Sequence, residues 1–213
     1  MKFTTKVLAF AVISAFSAVA AAQSGSQSTL NMQNLQQNQS GLLNKQEMDL
    51  ANAKDGGKSN VNLKNVNQTQ SGLLNQQKMS IGNTTGRGSE SKVTIQGNVN
   101  QTQSGLLNKQ EMAIGNASGG GKSNVNLKNV NQNQSGLLNQ QKMEIGSAAG
   151  RGSQSNVTVR GDINQNQSGL LNKQEMRIGN AAAGGKSNVN IGTVNQNQSG
   201  LLNQQKANLG NAE

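Results

Sequence analysis

Apolar and polar positions alternate with a period of two along most of the chain, and the alternation restarts six times. Upstream of each Ser-Gly-Leu-Leu-Asn segment, Val66, Gln68 and Gln70 fall on one face, as do Leu35/Gln37/Gln39, Val99/Gln101/Gln103, Val130/Gln132/Gln134, Ile163/Gln165/Gln167 and Val194/Gln196/Gln198. Downstream, Asn75, Gln77, Met79 and Ile81 share a face. Their counterparts are Asn44/Gln46/Met48/Leu50, Asn108/Gln110/Met112/Ile114, Asn139/Gln141/Met143/Ile145, Asn172/Gln174/Met176/Ile178 and Asn203/Gln205/Ala207/Leu209. Such alternation predicts half-buried strands. The intervening glycine stands at Gly41, Gly72, Gly105, Gly136, Gly169 and Gly200, at spacings of 31, 33, 31, 33 and 31, so the true unit is a pair of 64 residues. A fixed period in this range predicts supersecondary units stacked on one another. The chain therefore reads as an all-β solenoid of six strand-arch-strand repeats over residues 30–210, after a short segment 23–29 and before a tail 211–213.

Val61 and Leu63 lie five and three residues before Val66, whereas Val93 and Ile95 lie six and four before Val99; Gly97 and Gly161 accompany the longer copies. A short bend thus interrupts the upstream stretch. The rung reads as two-sided, with a three-sided rung as the alternative.

The positions between the inward residues explain the pairing of repeats. Lys45, Gln76, Lys109, Gln140, Lys173 and Gln204 form one outward series; Glu47, Lys78, Glu111, Lys142, Glu175 and Lys206 form another. Stacked in register about 4.8 Å apart, the second series alternates acid with base, where identical repeats would set like charges on neighbouring strands. Inward Gln and Asn at repeated heights can form amide ladders of the cross-β kind. Every rung is satisfied except the two ends, and an exposed strand edge templates another chain. The turns, such as Asn52-Ala53-Lys54-Asp55-Gly56-Gly57-Lys58, are Gly-rich and suit tight reversals. Each carries a basic residue (Lys58, Arg87, Lys122, Arg151, Lys186), predicting a positive stripe along one edge.

Composition narrows the chemistry. Residues 1–22 have the form of a secretory signal: Lys2 and Lys6, an apolar run from Val7 to Val19, and small residues at Ala18-Val19-Ala20 or Ala20-Ala21-Ala22. All three phenylalanines lie inside it, and the chain has no Trp, Tyr, Cys, Pro or His. No imidazole base, thiolate or soft metal site is available, so no enzyme, cofactor or small-molecule substrate is expected. Without Lys2 and Lys6, seventeen basic side chains face nine acids, a net +8 that favours weak contact with polyanions.

The Gln70-Ser71-Gly72-Leu73-Leu74-Asn75 segment and its five copies carry a Gln-x-Gly-x-x-Asn core that resembles the repeat of the curlin family, the secreted subunits of curli amyloid fibres in bacterial biofilms. In that family a Ser precedes the Gln by six residues and a second Gln follows the Asn by six, whereas here Lys64 and Ile81 stand there, and this repeat is about ten residues longer. The resemblance implies that the Gln, Gly and Asn positions are ladder and arch residues. It also implies nucleated polymerisation at the cell surface, with a secretion pore and a nucleator subunit as partners. The ladder and arch set comprises Gln39, Gly41, Asn44 and Gln46; Gln70, Gly72, Asn75 and Gln77; Gln103, Gly105, Asn108 and Gln110; Gln134, Gly136, Asn139 and Gln141; Gln167, Gly169, Asn172 and Gln174; and Gln198, Gly200, Asn203 and Gln205.

Other motifs read blandly. Gly119-Gly120-Gly121-Lys122-Ser123 lacks the earlier glycine of a phosphate loop, since Asn116 stands there. Arg160-Gly161-Asp162 aligns with Gln96-Gly97-Asn98 and reads as coincidence. Inward Met48, Met79, Met112, Met143 and Met176 read as gap-filling core residues. Two other classes remain: a monomeric solenoid binding module of adhesin or ice-binding type, and a polyanion or extracellular DNA binder. With no aromatic residue to stack on bases, the latter reduces to salt-sensitive phosphate contact.

Overall fold

The computed structural model describes residues 15–18, 27–54, 58–86, 88, 90–119, 121–150, 152–182, 185–210 and 212. Apart from Ala15–Ala18, the expected signal segment lies outside the described residues. Every named element is a strand: β1 (Ala15–Ala18), β2 (Gln27–Gly41), β3 (Lys45–Leu50), β4 (Lys58–Ile81), β5 (Glu90–Ala117), β6 (Lys122–Ala148), β7 (Gln154–Ala181), β8 (Lys186–Ser199) and β9 (Asn203–Leu209). Rung one is β2 with β3, rungs two to five are β4 to β7, and rung six is β8 with β9. All pairings are parallel, and each repeat lies on the next with like residues matched: Gly72↔Gly105, Asn75↔Asn108 and Met79↔Met112 between β4 and β5, for example. The molecule is a parallel β-solenoid.

Each rung contributes one thin line of apolar side chains, such as Val61, Leu63, Val66, Met79 and Ile81, which with their copies in the third to fifth rungs are buried in one continuous core. Burying each is worth about 1.5–3 kcal/mol, and a single line has nothing to bury against except the lines above and below, so the fold is stable only as an array. Valine and isoleucine are the commonest apolar inward residues because β-branched side chains fit a pleated, half-buried surface.

The upstream stretch kinks where the 31- and 33-residue repeats differ. Register shifts fall between Leu63 and Val66 of β4 and between Ile95 and Asn98 of β5. Ser59, Val61 and Leu63 are buried before the kink, and Val66, Gln68 and Gln70 after it. With Asn75 to Ile81 the rung therefore has three inward-facing segments, which corrects the two-sided reading. Three residues separate Leu63 from Val66, an odd step that a straight strand of period two cannot take while keeping both side chains inside.

The two ends differ. Met48 and Leu50 of the first rung are fully buried, and β1 pairs in parallel with β3 through Ala15↔Glu47 to Ala18↔Leu50. On the last rung Leu209 is 47% exposed and the inward positions of β8 are only half-buried. The last rung is open, and on the first rung β1, which belongs to the expected signal segment, lies along β3, while both amide atoms of Gln46 remain without a partner among the described residues.

Candidate functional site

The column of arch asparagines runs through all six rungs. Nδ2 of Asn44 donates to Oδ1 of Asn75, and the series continues through Asn108, Asn139, Asn172 and Asn203 at 2.9–3.2 Å. The same Nδ2 group reaches back to the arch carbonyl three residues earlier, as from Asn75 to Gly72 at 2.9 Å, and on to the next rung, as from Asn75 to Ser104 at 2.6 Å. These asparagines fill the inside of the arch. The arch glycines Gly41, Gly72 and Gly105 have φ of 146–147°. A Cβ on Gly105 would collide with the Gly72 carbonyl oxygen and the Asn75 amide, so both conformation and spacing require glycine there.

The glutamine columns differ in quality. Gln68, Gln101, Gln132, Gln165 and Gln196 each donate to the Gln one rung back, beginning at Gln37, at 2.8–3.3 Å. Each also donates across the core to a backbone carbonyl ten residues ahead, Gln101 to Glu111 at 3.2 Å being one case. The column of Gln46, Gln77, Gln110, Gln141, Gln174 and Gln205 is bonded from Gln77 onward at 2.8–3.0 Å. The column singled out by the Gln-x-Gly-x-x-Asn core is the weaker one. Gln134, Gln167 and Gln198 bond at 3.3–3.4 Å, and both amide atoms of Gln70 are buried without a partner among the described residues. Gln134, Gln167 and Gln198 show no bond to a backbone carbonyl across the core among the described residues, unlike the Gln68 column. Gln46 likewise has neither amide atom partnered among the described residues.

The ladders are polarised. Asparagine donates toward the next rung and glutamine toward the preceding one, so the open last rung offers the Oε1 atoms of Gln196 and Gln205 to a further chain. Gln46 of a first rung, whose amide has no partner among the described residues, is the matching residue for Gln205.

Two sets escaped the sequence reading. Ser59, Ser91, Ser123, Ser155 and Ser187 turn their hydroxyls onto the carbonyls of Ala51, Gly82, Gly115, Gly146 and Gly179, tying the start of each rung to the end of the one before. The recurrence of Ser at a fixed place after each turn was the available signal. The paired arch leucines are exposed in every rung, although leucine by composition suggests core. The arch is three residues long and its interior is filled by asparagine amides, which leaves the leucines only the outside.

The outward charge column alternates as expected but pairs in twos. Lys78 bonds Glu47 at 2.7 Å and Lys142 lies 3.9 Å from Glu111 and 3.6 Å from Glu144 on its own strand, whereas Glu175 turns to Arg177 on its own strand at 2.7 Å and leaves Lys206 without an ion pair among the described residues. The hydrogen bond from Lys78 holds the Glu47 carboxyl below its ordinary value, and that same bond raises the Lys78 ammonium. Of the expected positive stripe, Lys58, Lys122 and Lys186 stack in turn with Glu90 and Gln154 between them, and Lys58 lies 3.8 Å from Glu90. Arg87 and Arg151 lie outside the described residues. The five inward methionines are fully buried within the hydrophobic core, as gap fillers are.

No family model, no curated protein and no solved structure matches this chain.

Proposed function

We propose that this protein is a secreted structural subunit that adds head to tail into a curli-like amyloid fibre of a biofilm matrix. The observation that carries the reading is the open, in-register last rung, whose Gln205 Oε1 acceptor matches in kind and height the unpaired amide of Gln46 on a first rung. Growth continues the columns already present inside the subunit. Each added chain buries Val189, Ile191, Val194 and Leu209, which are partly exposed in the single chain. The Gln-x-Gly-x-x-Asn cores support the likeness to curlins, with a secretion pore and a nucleator subunit as the partners that likeness brings. Adhesion follows from the regular outer faces, and Lys122 and Lys186 give weak, salt-sensitive contact to extracellular DNA.

Diluting the chain from denaturant and following thioflavin T and electron micrographs, with and without seed, tests the reading. Seeded, unbranched fibres with a meridional spacing of about 4.7–4.8 Å are expected. A chain that stays monomeric at high concentration despite seed would sink it. The monomeric surface-binding alternative draws on one observation of its own: the uncharged outward ladder Asn67, Asn100, Asn131, Asn164 and Asn195, bonded at 2.8–2.9 Å.

A further inference from the structure

The arch leucines form an interaction surface that neither the stacking nor the charge columns use. Leu73 and Leu74 of the second rung, Leu106 and Leu107 of the third, and their copies in the fourth and fifth are 41–48% exposed, and those of the end rungs more so. The second leucine of each pair is in register from the second rung to the fifth, Leu74↔Leu107, Leu107↔Leu138 and Leu138↔Leu171, and the end arches bond to their neighbours through the Leu42 and Leu202 carbonyls, so twelve leucines make a ridge two residues wide and roughly 24 Å long at the parallel-strand spacing. A leucine side chain carries roughly 130 Å² of apolar surface on the buried-methylene scale. At about two-fifths exposure the ridge presents on the order of 650 Å², at the upper limit of the largest patch on an ordinary monomer.

We infer that this ridge is a lateral interface with a second copy of the chain, two solenoids lying side by side with their leucine ridges facing. Two ridges together would bury about 1,300 Å², within the range of a stable specific interface. Period points to self-association: a narrow apolar ridge with one leucine pair per rung is matched rung for rung by another such ridge. Charge selects the orientation. The downstream flank of the ridge carries exposed Lys45, Lys109 and Lys173, while the upstream flank carries neutral side chains such as Ser71 and Thr102. A two-fold axis parallel to the stack sets the lysine flank of one copy against the neutral flank of the other, whereas antiparallel ridges set lysine against lysine. The interface stands on the solenoid alone and does not need head-to-tail growth.

The test compares the full chain with a variant carrying Leu73→Gln, Leu106→Gln, Leu137→Gln and Leu170→Gln, with far-UV circular dichroism as the control for folding. If fibres form, mass per length is read by dark-field microscopy. The wild type is expected at two chains per six-rung height, and the variant at one, with seeded elongation per filament unchanged. If the chain does not polymerise, sedimentation equilibrium reads the same interface as a wild-type dimer and a variant monomer, so failure of growth and failure of pairing are told apart. Wild-type fibres at one chain per six rungs, or a monomeric wild type without fibres, overturn the inference whether or not the variant folds. So does a folded variant that still pairs. A wild type that stays single but binds vesicles of anionic lipid through the ridge overturns it in favour of a membrane occupant.

Discussion

Replacing Gln101 and Gln196 by alanine separates what the amide ladder does inside the subunit from what it does in growth. Gln101 makes three bonds: it donates to Gln68 at 3.0 Å and to the Glu111 carbonyl at 3.2 Å, and accepts from Gln132 at 2.8 Å. Each is worth about 1 kcal/mol net, and Gln68 Oε1, buried and left without its donor, adds about 1–3 kcal/mol. Gln101→Ala should therefore cost the single chain about 4–6 kcal/mol. Gln196 occupies the same column on the open rung. It donates to Gln165 at 3.0 Å and weakly to Lys206 at 3.5 Å, with no described rung beyond it. Water can replace what Gln196→Ala removes, so the loss should be about 1 kcal/mol. In a growing fibre the two positions become equivalent, and Gln196→Ala should slow seeded elongation even though the monomer is nearly intact. Urea midpoints on freshly diluted chain measure the first quantity and seeded thioflavin T rates the second. Equal monomer losses at both sites, or unchanged elongation for Gln196→Ala, would refute the reasoning.

Three further outcomes are expected. Gly105→Ala, which adds a Cβ against the Gly72 carbonyl at φ +147°, should cost at least about 3 kcal/mol through strain and displaced backbone, read as a lower urea midpoint. The Glu47–Lys78 pair is exposed and worth only about 0.2–1 kcal/mol; its carboxyl is held below the ordinary value by the hydrogen bond from Lys78. That contribution should be complete above the ordinary carboxylate range and fade as pH falls through the lowered value. The raised Lys78 ammonium should hold its share below the ordinary lysine value and lose it as pH climbs past the raised one. A Glu47→Gln variant should accordingly differ from wild type near neutrality and converge with it in acid, by urea titration across pH. Because β1 lies on the β3 edge, the chain beginning at Gln23 should elongate faster from seed than the chain beginning at Met1. Equal rates would show that this contact does not restrict growth.

Much of the architecture was legible in the sequence because a solenoid writes its structure at a fixed period. The 31 and 33 spacings determined which residues stack, and period-two alternation determined which face inward; Met79 and Gln77 are buried while Lys78 faces out, as the pattern requires. The alternation of Glu and Lys every rung was likewise readable, since only charges at matched heights make the 64-residue pair necessary. Tertiary structure decided the rest. Alternation counts faces without saying which inward amide meets a carbonyl across the core, so the Gln68 column proved the continuous ladder and the Gln70 column the weaker one. The third inward segment depended on an odd step at Lys64–Asn65 that packing resolves as a kink. The ends also needed the stack itself. Nothing local in Leu73 and Leu74 tells them from core leucines; they are outside because asparagine amides fill an arch too small to hold anything else.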